Sequence, residues 1–251
     1  MIGAIMSPLP RLSRVQTALG TITERLGKRL GFGLLAAVVV LLLFGGLASE
    51  VREGETQHFD ESIRFAVHDL SSPPVTAIVI AATQLGSPAI VLPDTLIACF
   101  VFLRLRRVRA AILLFVTMLG AGLLNWLLKL LFQRTRPVPF FGLATPSSYS
   151  FPSGHALASF CFYGALAALV TARLRSKWLR AAVWAAAVLV IAAVGFTRIY
   201  LGVHYASDVI AGYAAAFVWV LAVASADRVF RPADEGGSQA AAAEPPPGGP
   251  S

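Results

Sequence analysis

Ser150-Phe151-Pro152-Ser153-Gly154-His155 is a polar, turn-forming stretch, and from His155 the chain runs apolar to Ala172 without a charge. A run of about 18 apolar residues is long enough for a helix to cross a bilayer. The same pattern recurs on both sides of it, at about 31–48, 86–103, 110–128, 181–197 and 207–226. The chain as a whole agrees: its 251 residues are 57% hydrophobic and 14% charged, with a mean hydropathy of +0.72. Soluble domains carry about 25% charged residues. The spacing predicts an all-α integral membrane protein, a six-transmembrane-helix bundle. One membrane domain covers 31–228, preceded by a basic segment over 1–30. It is followed by an Ala/Pro/Gly/Glu-rich tail over 229–251 that lacks the apolar residues to build a core and is expected to be disordered.

Charge placement gives the predicted bundle a direction. The net charge of +8 would raise nucleic-acid binding in a soluble protein, but here the basic residues flank apolar runs and no nucleic-acid partner is expected. With the N-terminus inside, fifteen of the 21 Lys/Arg fall on the inner side, so both termini are expected to be cytoplasmic. The run at 31–48 also has Gly46-Leu47-Ala48 ahead of Ser49, a loose imitation of a signal-peptide cleavage site. The long basic lead favours an uncleaved first helix. Residues 50–73 are acidic, with Phe59, Ile63, Ala66, Val67 and Leu70 at helical spacing, which predicts a short amphipathic helix on the outer membrane surface. Residues 75–82 are expected to approach the second span near the interface. Asp94 is an odd carboxyl within that span. Cys99 and Cys161 lie in apolar runs and are expected to be small buried hydrophobes.

The remaining polar residues form three islands, all predicted on the outer side. Lys129, Arg134, Arg136 and Pro137 close the third span, and such cations suit phosphate oxygens. Ser153 and Gly154 begin a helix, whose N-terminus favours anions, and Gly154 permits close backbone approach. In the third island His204 and Asp208 stand i and i+4, so that a carboxylate can set the tautomer of the imidazole. Each island alone has a plainer explanation: interfacial anchors, an ordinary Ser cap beside an interfacial His155, a capping Asp near an unrelated His. Their common side favours one anion site. No Cys/His or Asp/Glu cluster at metal spacing appears, so neither a metal nor another cofactor is expected.

Lys-x6-Arg-Pro, Pro-Ser-Gly-His and Arg-x5-His-x3-Asp, in this order over 129–208, resemble the three signatures of the type 2 phosphatidic acid phosphatase superfamily, which also includes the vanadium haloperoxidases. One departure is visible: Thr197 stands before Arg198 where the family usually has Ser, and a hydroxyl is kept. The resemblance implies that Lys129, Arg136 and Arg198 hold phosphate oxygens, with Ser153 and Gly154 adding hydrogen bonds. It implies further that His204, oriented by Asp208, attacks phosphorus, and that His155 protonates the leaving oxygen. The role of Arg134 is left open by it. The implied activity is metal-independent hydrolysis of a lipid phosphate or diphosphate at the outer leaflet of the cell membrane. Polyprenyl diphosphate, phosphatidate, phosphatidylglycerol phosphate and diacylglycerol diphosphate all fit. The alternatives are a phosphotransferase with an alcohol acceptor and a non-catalytic lipid-phosphate binder, the latter disfavoured because every signature cation and histidine is present. The expected partners are the lipid substrate and membrane lipids, and nothing in the sequence specifies an oligomeric state.

Overall fold

A computed structural model describes the backbone of residues 10–229, with side chains from residue 31, except 32, to 228. The expected tail beyond Val229 and the first nine residues lie outside the described residues. All regular structure among the described residues is helical: α1 (Pro10–Glu53), α2 (Gln57–His68), α3 (Pro73–Thr83), α4 (Pro88–Arg104), α5 (Val108–Phe132), α6 (Gly154–Thr171), α7 (Lys177–Tyr200) and α8 (Ala206–Val229), with a single 3-10 turn at Gln84–Gly86. Pro73 and Pro88 start α3 and α4, where a missing N–H costs nothing. Each follows an extended serine, Ser72 or Ser87.

Five helices are long and apolar enough to cross a bilayer, and α3 with α4 makes a sixth when counted as one span bent by 47°. This corrects the sequence reading, which began the second span at 86 and set 75–82 apart. Residues 73–83 are a full helix packed against α7, and the extended Ser87 forces the bend. Gly86 sits in the bend because a Cβ there would stand 2.4 Å from Val194 Cγ1 and 3.3 Å from the Cβ of His155.

The helices alternate in direction, which collects the polar residues at two ends. At one end Arg107 donates to the carbonyl of Leu169, and Arg109 pairs with Asp227 at 2.6 Å. At the opposite end stand all three islands. Between them the core is built from α4, α5, α6 and α8 around Leu114, Ala121, Leu157, Cys161 and Ala216. Cys161 is buried and Cys99 half-buried, as the sequence suggested. Small residues let the helices close in: at Gly120 a Cβ would lie 1.9 Å from the ring of Trp219, whose Nε1 donates to Thr117 O at 2.9 Å. That contact seats α5, the helix of Lys129, against α8, the helix of Asp208.

The predicted amphipathic helix is present as α2, with its polarity arranged to serve the bundle. Asp60 and Arg64 are its buried residues, while Phe59 and Phe65 are half exposed on the isolated chain. The charged face points into the protein and the apolar face outward, where bilayer lipid can cover it.

Candidate active site

Two backbone devices bring the islands together. The first is the turn between α7 and α8. Gly202 adopts φ +67°, and a Cβ there would stand 2.6 Å from the ring of Phe140, so only glycine fits. The turn folds the chain back so that Val203 and His204 donate their amides to Arg198 O. The second is the segment 133–153, which leaves α5 through a left-handed Gln133. It is pinned to α2 by Arg64 Nη2 donating to Val138 O (2.8 Å) and by His68 stacked on Phe140 with ring centroids 3.9 Å apart. It returns to the core where Ser150 N donates to Arg134 O (2.8 Å) and Phe151 is fully buried.

At the centre is His204, almost wholly buried. Its Nδ1 lies 3.1 Å from Asp208 Oδ2 and its Nε2 lies 2.9 Å from Arg136 Nη1. An arginine only donates, so Nε2 must be the accepting nitrogen and Nδ1 carries the proton toward Asp208. Burial pushes the imidazole down to about 3; Asp208 works against that shift, and Arg136 and Arg198 add to it. The ring is therefore neutral at pH 7, with its lone pair on Nε2. Asp208, with none of its surface exposed, also accepts from Ser150 Oγ (2.5 Å) and Tyr205 N (3.0 Å) through Oδ2. The pair does not lie on one helix face, as the i, i+4 spacing suggested. His204 precedes α8, and Asp208 in the first turn of α8 reaches back to it and to the Tyr205 amide. The same carboxylate caps the helix and orients the imidazole.

The three expected cations surround this pair. Arg136 is held by Ser148 and by Val203 O in addition to His204. Burial lowers its pKa and Asp208 opposes that. Lys129 is buried and donates to the carbonyls of Tyr149 and Ser150. Arg198 donates to Thr83 Oγ1 at 2.7 Å across to α3, and its Nε is buried with no partner. Ser153 does not cap α6 with its side chain, contrary to the simplest expectation. Its amide is taken by Asp208 O (2.9 Å), and its Oγ is buried without a partner. An orphaned hydroxyl, an orphaned guanidinium N–H and the start of α6 thus share one region, and buried donors left unpaired are costly unless a ligand completes them. Gly154 brings the α6 backbone against Asn125, where a Cβ would lie 3.2 Å from the amide. His155 follows, half-buried and within electrostatic range of Arg198, His204, Arg136 and Lys129.

Sequence reasoning missed a second tier. Arg134 donates to Asp208 Oδ1 (2.8 Å) with one nitrogen and to Asp60 Oδ2 (2.7 Å) with the other. Burial alone would lower its pKa, but Asp208 and Asp60 outweigh that and raise it, so the cation is permanent. Asp60 in turn accepts from Ser207 N (2.9 Å) and Ser207 Oγ (2.6 Å). In the sequence Asp60 is one of six carboxylates between 50 and 73. Its only mark is that α2 turns it inward. Thr83 and Asn125 were likewise invisible as members of the site, and Ser150, which opens the second island, had no role assigned. Asp94 is half-buried on α4.

Comparison with known proteins places the chain in a family. The family model described as PAP2 superfamily matches residues 110–231. Phosphatidylglycerophosphatase B of Bacillus subtilis is 32% identical over 178 residues, 70% of this chain and 87% of that protein. Lipid A 1-phosphatase of Rhizobium etli is 40% identical over 110 residues, 40% of this chain and 43% of that one. Among solved structures, a transmembrane PAP2 type phosphatidylglycerolphosphate phosphatase from Bacillus subtilis superposes with a TM-score of 0.72 at 28% identity. It covers 78% of this chain and 97% of its own.

Proposed function

The chain belongs to the PAP2 superfamily, and from that premise we propose that this membrane phosphatase hydrolyses a lipid phosphate or diphosphate through a phosphohistidine on His204. The observation that carries the proposal is the state of His204: neutral, with Nδ1–H directed at Asp208 and the Nε2 lone pair directed into a ring of cations. Arg136 Nη1 stands 2.9 Å from that nitrogen. Phosphate oxygens arriving between Lys129, Arg136 and Arg198 would draw the guanidinium off Nε2 and onto themselves.

His204 Nε2 then attacks phosphorus in line with the leaving oxygen. The N–P bond forms as the P–O bond breaks, and His155 gives its proton to the departing lipid alcohol or phosphate. The imidazolium that results is stabilised by Asp208. Water next attacks phosphorus while His155 takes its proton, the N–P bond breaks, and inorganic phosphate leaves with His204 restored. Phosphoryl transfer asks mainly for positioning and charge stabilisation, and the fixed cations, the Ser153 hydroxyl and the Gly154 backbone supply both without a metal.

The named relative that covers most of its own length is a phosphatidylglycerophosphatase, which sets phosphatidylglycerol phosphate first among the substrates. The purified protein should release phosphate from one or more of phosphatidylglycerol phosphate, phosphatidate, diacylglycerol diphosphate and polyprenyl diphosphate. Vanadate should compete with the lipid, and EDTA should leave turnover intact. Failure on every lipid, or phosphate passing to an added alcohol and none to water, would overturn hydrolysis as the activity.

The reading also places the site at the outer leaflet, with six spans and both termini cytoplasmic. It is supported by the excess of Lys/Arg at the end opposite the islands. In intact cells expressing a variant without Cys99 and Cys161, Ser147→Cys in the 133–153 segment should react with an impermeant maleimide. Arg175→Cys between α6 and α7 should react only after lysis. Both positions are exposed on the chain. The reverse pattern would turn the site to the cytoplasm.

A further inference from the structure

Three elements that share no sequence signature meet at Arg134. Its guanidinium is held on one edge by Asp208 and Ser207 and on the other by Asp60 and, at 3.4 Å, by Thr56 Oγ1. The ring of Tyr205 lies against its plane, 4.2 Å from the guanidinium carbon to the centroid. Asp60 has none of its surface exposed, and both its oxygens are engaged by Arg134 and Ser207. We propose that Asp60 and Arg134 are positioning residues of the hydrolytic site, a carboxylate–guanidinium pair through which α2 holds Asp208 in the one orientation that serves His204.

A carboxylate has two equivalent oxygens, and nothing in His204 distinguishes them. Arg134 does so: it takes Oδ1, leaving Oδ2 for Nδ1 of His204, Ser150 and the Tyr205 amide. Rotation of the carboxylate would break all four contacts together. Charge supplies the second half of the device. The order Asp60, Arg134, Asp208, His204 alternates in sign once His204 is phosphorylated and cationic. Buried as it is, Arg134 would otherwise satisfy itself on Asp208 alone and weaken the field that stabilises the imidazolium. Asp60 takes up that positive charge from the far side. Arg134 contacts Asp208, and Asp60 contacts Arg134, so both act through Asp208.

The proposal rests on His204 being the nucleophile, and the experiment separates the two. In purified full-length protein, Asp60→Asn should lower kcat at least about tenfold while KM and the vanadate inhibition constant stay within about threefold. Vanadate reports the cation ring directly, and a purely structural role for Asp60 would move it together with kcat. Asp60→Asn removes one of the two carboxylates that hold a buried cation and could unfold the chain, so the double variant Asp60→Asn/Arg134→Gln is measured beside it. That variant removes both charges, while Asp208 keeps Ser150, the Tyr205 amide and Nδ1 of His204 as donors. It should fold, bind vanadate and remain at least about tenfold slow. Wild-type kcat in either variant, or loss of vanadate binding in step with kcat in both, overturns the positioning role. If His204→Ala is inactive while these variants turn over normally, only the positioning role fails. If His204→Ala keeps its activity, the nucleophile itself is wrong.

Discussion

His204→Ala is expected to lower phosphate release by at least about 10⁴-fold, because removal of a nucleophile eliminates the covalent route and leaves only the binding and electrostatic contributions of the site. Neither nearby serine is a ready substitute. Ser150 is engaged with Asp208 at 2.5 Å, and the Ser153 hydroxyl lies at an anion-binding helix start with no base assigned to it. The fold should survive the change, since Phe151, Tyr200 and Leu201 still close the surrounding core. Vanadate should still bind through Lys129, Arg136 and Arg198. Single-turnover experiments with phosphorus-labelled lipid should trap a base-stable phosphoenzyme in the wild type and none in the variant. Turnover within tenfold of wild type, or an undiminished phosphoenzyme, would falsify the nucleophilic role.

Asp208→Asn is expected to cost about 10³-fold or more in kcat with little change in KM. Shape is nearly conserved, so the loss arises from charge and tautomer. An amide nitrogen facing Nδ1 would favour an imidazole that carries its proton on Nε2, the atom that must attack. The imidazolium formed on phosphorylation would also lose its counterion. Arg134 would keep Asp60 as a partner, so the substitution does not leave a cation wholly unpaired. The loss should appear in formation of the phosphoenzyme and not in substrate binding. A variant whose defect lies entirely in KM would instead place Asp208 among the binding residues. Because His204 is held down to about 3, its protonation leaves the acid side of the rate profile unaffected until far below neutrality. A fall in kcat near pH 6 therefore belongs to another group, such as the phosphate of the substrate.

The helical spans were legible because their signal is local and repeated: long uncharged runs, with prolines and basic clusters at their limits. The bend between α3 and α4 was not, since the extended backbone of Ser87 is a conformational choice that the residue type leaves open. Lys129, Arg136, Ser153, Gly154, Arg198, His204 and Asp208 were visible because each has a fixed offset from the next within its island. The role of Arg134 stayed open, and Asp60 was hidden, for the opposite reason. Arg134 had no offset to distinguish it from an interfacial anchor, and Asp60 lay among carboxylates that are mostly solvated.

Ser150 to His155 shows where the boundary falls. Composition and spacing are written along the chain, and they suffice to show a turn and a helix start that follow a cationic span end and precede a His–Asp pair. The unpaired Ser153 hydroxyl, the service of Ser150 to Asp208 and the tie from Asp208 through Arg134 to α2 emerge only when the helices are packed. Those facts depend on which faces of separate helices are turned toward each other. Such orientations come from packing at Gly86, Gly120 and Gly202, where the room left by a missing Cβ sets how closely two elements approach.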